Sequence, residues 1–221
     1  MLELAVAANV TQVSAVVDVG AGIGDPHASW RRHSAAGCSA SNVTRDGAAM
    51  RAELNERVCL ASLVSIRHAD ALTDAVDVSD VDVLWGQEAW VHFPSPSDFL
   101  ARWIPALAVG GRVAMADAFL ARRPADRARG DAHRRTLKNH GAPTWRRSIR
   151  GGSALERHGC RVVHTRDVTA RAAADCSMLL SVSTRWPEGT VTDAERQGWE
   201  RALAAFGRGI VGSFRVVAAR R

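Results

Sequence analysis

The sequence predicts an α/β protein with a mostly parallel sheet of seven strands and helices on both faces. Short apolar runs rich in β-forming residues alternate with helical stretches, at spacings of roughly 20 to 35 residues. The run Val16–Val19 is followed by a loop with glycine at every second position, as expected where a buried parallel strand meets a ligand. The apolar fraction is 47% of 221 residues, which suits one domain with a sizeable core.

The elements are expected in the following order. A short helix over Leu2–Ala8 precedes the first strand, and Pro26 lies near the start of the next helix, as helices prefer. The period-2 and apolar patterns place six further strands at residues 37–43, 63–67, 81–85, 112–117, 161–165 and 213–219. Helical patterns fall at residues 26–35, 50–58, 153–158 and 193–206.

One more helix is expected between the fourth and fifth strands. Ser97 and Asp98 can cap its start, and Gly110-Gly111 is a stop signal. Pro105 within it should kink or shorten its last turn, because proline removes a helical hydrogen bond.

Residues 122–150 interrupt the alternation and carry many arginines with few large apolar residues. We interpret them as a basic, surface-lying excursion on the substrate side of a single domain that spans residues 1–221.

The composition limits the kinds of partner that the protein can bind. The formal net charge of +6 fits either a nucleic-acid or acidic partner or a solvated surface, and we favour the surface. Cys38, Cys59, Cys160 and Cys176 have no metal-binding or redox spacing, and the histidines match no ligand pattern, so no metal is expected. No apolar run reaches the ~20 residues of a membrane span, and the first residues lack the basic start of a signal peptide. We therefore expect a soluble, cytoplasmic protein without a membrane partner.

The glycine loop has a particular spacing, Asp18-x-Gly20-x-Gly22-x-Gly24. A dinucleotide fingerprint would need glycine at position 25, where this chain has Asp25. An ordinary glycine-rich turn is the alternative interpretation for these residues alone.

Polar residues follow the other strands at the edge where open α/β sheets bind ligands. They are Ser41 to Thr44, His68 to Ala71, Gly86 to Glu88, and Asp117. These residues could converge on one ligand with an adenine, a ribose and a zwitterionic tail. Asp70 could accept a hydrogen bond from the adenine amino group.

The ordered series of motifs resembles the class I S-adenosylmethionine-dependent methyltransferases. The matching motifs are residues 17–24 with Pro26, 54–57, 67–72, 87–88 with His92, and 110–113. Among these enzymes it is most similar to the sarcosine/dimethylglycine, tocopherol, phosphoethanolamine and natural-product small-molecule methyltransferases. The resemblance covers residues 2–120 well and the C-terminal part loosely.

The resemblance implies a Rossmann-like sheet of order 3-2-1-4-5-7-6, with the last, inserted strand antiparallel. The composition, rich in arginine with one lysine and no tyrosine, suggests a bacterial gene of high GC content. The resemblance also implies S-adenosyl-L-methionine as the cofactor of a transferase. The cofactor-binding residues that it implies are Asp18, Gly20, Ala21, Gly22, Asn42, Asp70, Ala71 and Gln87.

This chain departs from the family at several positions. Asp25 replaces a usual glycine and puts negative charge near the cofactor's carboxylate. Asn42 stands where most class I enzymes have an acid, although an amide can still hydrogen-bond a ribose there. Gly47 replaces a frequent glutamine, and the segment before the first strand is shorter than the arm that closes over the cofactor in most members.

Glu88 and His92 are the candidate catalytic residues. They are four residues apart and would share a face if that segment is helical. A neutral His92 could take a proton from the acceptor while Glu88 orients it, or His92 could be structural beside Trp90 and Phe93. Trp85 and Trp90 could form a substrate wall, although core packing is the favoured interpretation.

Three functions fit these observations. The first is methyl transfer to N, O or C of a small molecule, which the basic excursion would suit if the substrate carries carboxylate or phosphate. The second is a cyclase, another tailoring catalyst or a degenerate binding protein on the same fold. The third, a nucleic-acid methyltransferase, ranks lowest because no aromatic residues accompany the charge. The protein is expected as a monomer or homodimer.

Overall fold

Seven strands within the described residues form one sheet. The computed structural model describes residues 2–21, 38–42, 45–57, 59, 61–90, 93, 95–120, 153–209 and 211–221. The strands are β1 (Val16–Val19), β2 (Cys38–Asn42), β3 (Val64–His68), β4 (Val81–Gln87), β5 (Leu107–Leu120), β6 (Cys160–Asp167) and β7 (Val211–Arg220). The helices are α1 (Leu2–Ala7), α2 (Arg45–Arg57), α3 (Pro96–Trp103), α4 (Ser153–Arg157), α5 (Thr169–Ser183) and α6 (Asp193–Gly207).

The strand order is β3-β2-β1-β4-β5-β7-β6. The pairs from β3 to β5 are parallel, whereas β7 runs antiparallel to both β5 and β6. This is the order that the sequence resemblance implies. In such a sheet the chain reverses its winding between β1 and β4, and the carboxyl ends of these two strands are therefore the expected ligand edge.

Both faces of the sheet are covered. Alternate residues of a strand point to opposite faces, so each strand contributes to two layers. Leu84 and Met115 pack on one face with Phe99 of α3 and Leu155 of α4. On the other face, Val83, Trp85, Ala114 and Val217 pack with Leu4 of α1.

The helix expected from Ser97 to Gly110-Gly111 is shorter and has a different cap. Its N-cap is Ser95, whose Oγ accepts a hydrogen bond from the Asp98 amide at 3.3 Å. The helix ends at Trp103, and Ile104–Ala106 forms a 3-10 turn before β5 begins at Leu107. Pro105 explains the early end, because a proline cannot continue the i to i−4 ladder.

Gly110-Gly111 lies inside β5 instead of ending a helix. Val81 and Val83 of β4 pair with Leu107 and Arg112, so the residues between them form a bulge. Gly110 has φ +79°, and an added Cβ on Gly111 would lie 2.8 Å from the Val81 carbonyl oxygen. A glycine pair after an apolar run marks a bulge as readily as a helix end, which is why the sequence pattern misplaced it.

Other boundaries also differ from expectation. Helix α2 begins at Arg45, five residues before the expected start at Met50, and α5 was not predicted at all. The expected helix at 26–35 and the basic excursion at 122–150 fall largely or wholly outside the described residues. No helix in the described part of the chain has the length and apolar character needed to cross a membrane.

Candidate functional site

The glycine loop meets the segment that follows β4. Gly20 has φ +72°, and an added Cβ there would lie 2.5 Å from the Cβ of Ala89. Real side chains do not approach this closely, so only glycine lets the end of β1 contact the end of β4. At the switch point of the sheet, the Gly20 backbone therefore packs against the Ala89 side chain.

Three of the predicted cofactor residues lie around this contact. Asp18 is buried in β1 and aligned with Trp85 of β4, and Ala21 is buried just after Gly20. Gln87 is the last residue of β4, and its Oε1 is buried without a hydrogen-bond donor among the described residues. A buried acceptor without a donor is unusual in a folded protein and is explained where a ligand supplies the donor.

Asp70 and Ala71 follow β3 in a tight turn. The Asp70 Oδ1 accepts a hydrogen bond from the Leu72 amide at 2.8 Å, and the Asp70 amide donates to Asp74 Oδ2 at 2.9 Å. Ala71 is buried, and its carbonyl oxygen accepts from Trp103 Nε1 at 2.8 Å. The turn therefore fixes Asp70 through one carboxylate oxygen and is held in place by α3.

The segment after β4 is anchored to β5. The Glu88 amide donates to the Ala116 carbonyl at 2.9 Å, and the Trp90 amide donates to Asp117 Oδ2 at 2.9 Å. Asp117 is only 3% exposed, and its Oδ1 accepts from the Ala118 amide at 2.7 Å. A buried carboxylate that accepts two amide hydrogen bonds holds this segment firmly, because hydrogen bonds to a charged group are stronger than those between neutral groups.

A cavity of about 430 Å³ opens beside this segment. Its floor is formed by β4, β5 and β7, and helices α5 and α6 form its walls. The described lining includes Gln87, Glu88, Asp117, Arg171, Asp175, Cys176, Leu179, Trp199, Phe206 and Arg215. The volume lies in the range of small-molecule sites.

The ends of α5 are tied to neighbouring elements. At its start, the Ser213 amide of β7 donates to Thr169 Oγ1 at 3.0 Å. Near its end, Arg196 of α6 donates to Ser183 Oγ at 2.8 Å. These contacts hold the helix pair over the cavity.

Burial raises the pKa of the Cys176 thiol above its usual 9.0. The carboxylates of Glu88 and Asp175 raise it further, because negative charge disfavours a thiolate. Cys176 is therefore a neutral thiol in the cavity wall rather than an activated nucleophile.

Glu88, one of the two candidate catalytic residues, has φ +50°, a left-handed conformation outside the α-helical region. A shared helical face with His92 stays a prediction. His92 itself, like Gly22, lies outside the described residues, and Asn42 is the last residue of β2. Trp85 and Trp90 are fully buried, in agreement with the favoured core role.

Several site residues were missed by the sequence interpretation. They are Arg171, Asp175, Cys176, Leu179, Trp199 and Arg215, which come from α5, α6 and β7. Two signals were available for the helices. Residues 169–183 are rich in alanine and lack glycine and proline, and Thr192 with Glu195 forms the spacing of a capping box.

The chain has the fold of the S-adenosylmethionine-dependent methyltransferases, as the sequence resemblance indicated. Over 99% of its length it superposes with TM-score 0.81 on 83% of a proposed sarcosine dimethylglycine methyltransferase from Galdieria sulphuraria, at 16% identity. Over 96% it superposes with TM-score 0.77 on 74% of the geranyl diphosphate C-methyltransferase from Streptomyces coelicolor A3(2), solved with Mg²⁺, geranyl diphosphate and S-adenosyl-L-homocysteine, at 14% identity. It also superposes on 78% of the 4+2 cyclase SpnF, with TM-score 0.79 and 17% identity over 99% of this chain. At 14–17% sequence identity, these superpositions show a shared fold.

A sequence relative is methyltransferase GfsG from Streptomyces halstedii. It is 30% identical over 102 residues, which is 46% of this chain and 37% of GfsG. The match therefore spans little more than a third of the relative's length. No family model matches the chain.

Proposed function

We propose that this protein is an enzyme that transfers a methyl group from S-adenosyl-L-methionine to N, O or C of a small molecule. The observation that carries the proposal is the contact of Gly20 with Ala89, which shapes the switch point of a methyltransferase fold beside a cavity of about 430 Å³. The likeness to methyltransferase GfsG, and to solved structures that hold S-adenosyl-L-homocysteine, supports it.

The described residues fit this cofactor. Gly20 packs against Ala89 and so brings the loop after β1 next to the end of β4, where the buried Gln87 Oε1 needs a donor. Among the described residues the Asp70 carboxylate accepts a hydrogen bond through Oδ1, from the Leu72 amide, and Oδ2 would accept from an amino group. Asp18, Ala21 and Ala71 would complete the described part of the site, while Gly22 and Asn42 stay predictions from the resemblance.

When bound, S-adenosyl-L-methionine supplies the methyl group and is left as S-adenosyl-L-homocysteine. The protein's share of the work is to hold the acceptor in line and to remove its proton where the acceptor carries one. The anchored segment from Glu88 to Trp90 presents Glu88 to the cavity, and His92 follows two residues later. We propose His92 as the base and Glu88 as a charged group beside the acceptor.

The test of this assignment is the variant His92→Ala. Cofactor affinity should stay within about twofold, because the ring is proposed on the substrate side, while turnover should fall 10²-fold or more. Calorimetry with S-adenosyl-L-homocysteine and a steady-state assay measure the two quantities. An unchanged rate would make His92 structural and move the base to Glu88.

A second candidate function is a cyclase or binding protein that does not consume the cofactor. The likeness to SpnF favours it, since SpnF has this fold and is a cyclase. Asp25, which places negative charge near the expected cofactor carboxylate, also favours it. Persistence of the cofactor through many turnovers would identify this alternative.

A small molecule is the proposed partner in preference to a nucleic acid, because the cavity between the sheet, α5 and α6 has the volume of a small-molecule site. A natural-product substrate is consistent with the relative from Streptomyces halstedii. A substrate with carboxylate or phosphate stays a prediction that depends on the arginines of residues 122–150. The cytoplasmic location, the bacterial source and the monomeric or homodimeric state are likewise proposals.

A further inference from the structure

Carboxylates outnumber guanidinium groups in the described lining of the cavity. Three carboxylates, from Glu88, Asp117 and Asp175, face two guanidinium groups, from Arg171 and Arg215. Arg171 Nε lies 2.9 Å and 3.2 Å from the two carboxylate oxygens of Asp175. Arg215 Nη1 donates to Glu3 Oε2 of α1 at 2.6 Å. Both guanidinium groups in the described lining therefore already have a carboxylate partner, although Glu3 also pairs with Arg166.

The two remaining carboxylates differ in availability. Asp117 is buried, and each of its oxygens accepts a backbone amide. Glu88 is exposed and forms no ion pair with any residue that the structure describes. It lines the same cavity as Cys176 of α5, whose thiol pKa is raised by burial and further by the Glu88 carboxylate. Glu88 is therefore the one carboxylate in the described lining that remains available to a ligand, because Asp117 accepts two amides and Asp175 pairs with Arg171.

The helical wall of the cavity is apolar apart from Arg171, Asp175 and Cys176. Val168, Leu179, Trp199, Ala202 and Phe206 line it from α5, α6 and the residue before α5, and each is partly buried. The Trp199 ring is braced by Trp186, edge to face, at a centroid distance of 6.5 Å. Such a wall binds hydrocarbon, and a braced indole also attracts a cation.

We propose that the cavity selects an apolar amine, with its ammonium group beside Glu88 and its hydrocarbon part between α5 and α6. The inference rests on the proposed function and names the substrate class for that same site. It opposes the anionic substrate expected from the basic residues 122–150, because a carboxylate or phosphate would meet the unpaired Glu88. An ion pair in a partly dry cavity both orients and selects its partner.

The test uses three probes of equal size: 4-phenylbutylamine, 4-phenylbutan-1-ol and 4-phenylbutyrate. Each is titrated by calorimetry into the protein saturated with S-adenosyl-L-homocysteine. The amine should bind about tenfold or more tightly than the alcohol, and the carboxylate weakest of the three. Glu88→Gln should weaken the amine about tenfold while affinities for the alcohol and for S-adenosyl-L-homocysteine stay within about twofold.

Two further variants separate charge from shape. Trp199→Ala should weaken the amine and the alcohol alike, because both need the apolar wall. Glu200→Gln removes an exposed carboxylate of α6 that does not line the cavity, and it should leave amine binding within about twofold. Equal melting temperatures of Glu88→Gln and the parent protein exclude a folding defect.

The outcomes are distinguishable. Tighter binding of the carboxylate, no preference for the amine, an unchanged Glu88→Gln, or no binding of any probe would each overturn the amine assignment. If S-adenosyl-L-homocysteine itself fails to bind, the proposed function fails instead. The three probes titrated without it then still report whether the cavity prefers the amine.

Discussion

At the scale of single residues, the backbone geometry of the site depends on a few positions such as Gly20, where one added carbon atom would not fit. Gly20 accepts a left-handed φ and contacts Ala89 so closely that no side chain fits. Glu88 adopts φ +50° although it is not glycine, and its amide is fixed by the Ala116 carbonyl. Non-glycine residues with positive φ are uncommon and concentrate at functional sites. The carboxyl edge of β1 and β4 therefore combines tight packing with a strained backbone.

Gly20→Ala should destabilise the protein by about 2–4 kcal/mol, since it adds both a clash and a left-handed alanine. Affinity for S-adenosyl-L-homocysteine should fall at least tenfold as Ala89 is displaced. The double variant Gly20→Ala/Ala89→Gly should recover only the part of the lost stability that comes from the clash.

Gly189→Ala is the matched control, because Gly189 has φ +81° and open space around it. It should cost about 1–2 kcal/mol without any effect on cofactor affinity. Chemical denaturation and calorimetry measure these values, and a Gly20→Ala protein with parental affinity would contradict the account.

At the scale of elements, α3 positions the turn after β3. Trp103 of α3 is 8% exposed and donates its Nε1 hydrogen to the Ala71 carbonyl from 32 residues away. Its ring stacks near Phe99, which packs on Trp90 and Phe93 in the same core layer. The helix thus connects the turn that carries Asp70 with the segment that carries Glu88. One aromatic cluster therefore supports both the turn of the proposed cofactor site and the segment of the proposed substrate site.

Trp103→Phe should lower the free energy of unfolding by about 1–3 kcal/mol, because it leaves the buried Ala71 carbonyl without its donor. Affinity for S-adenosyl-L-homocysteine should also fall several-fold, as the turn bearing Asp70 loosens. Trp186→Phe provides the control, since Trp186 is 39% exposed and lies away from this turn. Denaturant titration and calorimetry on both variants test the argument. Equal affinities of Trp103→Phe and the parent would show that the turn does not support the cofactor site.

At the scale of the whole molecule, the composition limits the groups that can change the protein's stability at alkaline pH. The chain has no tyrosine, one lysine and four cysteines, so cysteine dominates side-chain titration near pH 9 to 10. Burial raises the pKa of the Cys160 thiol above 9.0, partly offset by Arg220, and the pKa of Cys176 is also raised. A raised folded-state pKa means that the folded protein holds its proton more tightly than the unfolded chain.

Stability should therefore be fully retained below about pH 9 and decline as the pH rises through the folded-state pKa values. The melting temperature, followed from about pH 8 to pH 10.5, should decrease less steeply in Cys160→Ala than in the parent. Cys59→Ala, which removes an exposed thiol, should keep the parental slope. The same slope in all three proteins would contradict a role for the buried thiol.

Much of the fold could be predicted from the sequence, because strands β1, β3 and β4 are short runs that contain valine or isoleucine and have few alternative interpretations. The strand order came with the motif series rather than from any local pattern. Gly110-Gly111 was misplaced because local sequence does not distinguish a glycine bulge from a helix end. Helix α5 was missed because its alanine-rich stretch has little apolar periodicity, and its position is set by contacts such as Thr169 with Ser213.

The candidate site was only partly predictable for a related reason. Gly20, Asp70 and Gln87 adjoin strand ends, and strand ends meet at one edge of a parallel sheet whatever the loops do. Trp199, Arg215 and Cys176 come from distant segments, and only the packing of α5 and α6 on the sheet brings them together. The left-handed backbone at Glu88 could not be predicted either, because it depends on the contact of its amide with the Ala116 carbonyl of β5.

The most direct test of methyl transfer is the balance between cofactor and product. The protein is incubated with S-adenosyl-L-methionine carrying a trideuterated methyl group and with the amine that binds best, and both products are quantified by mass spectrometry. The account expects one S-adenosyl-L-homocysteine for each acceptor molecule that gains the label. Cofactor that stays intact while the acceptor is converted without label would contradict it and would identify a catalyst that binds the cofactor without consuming it.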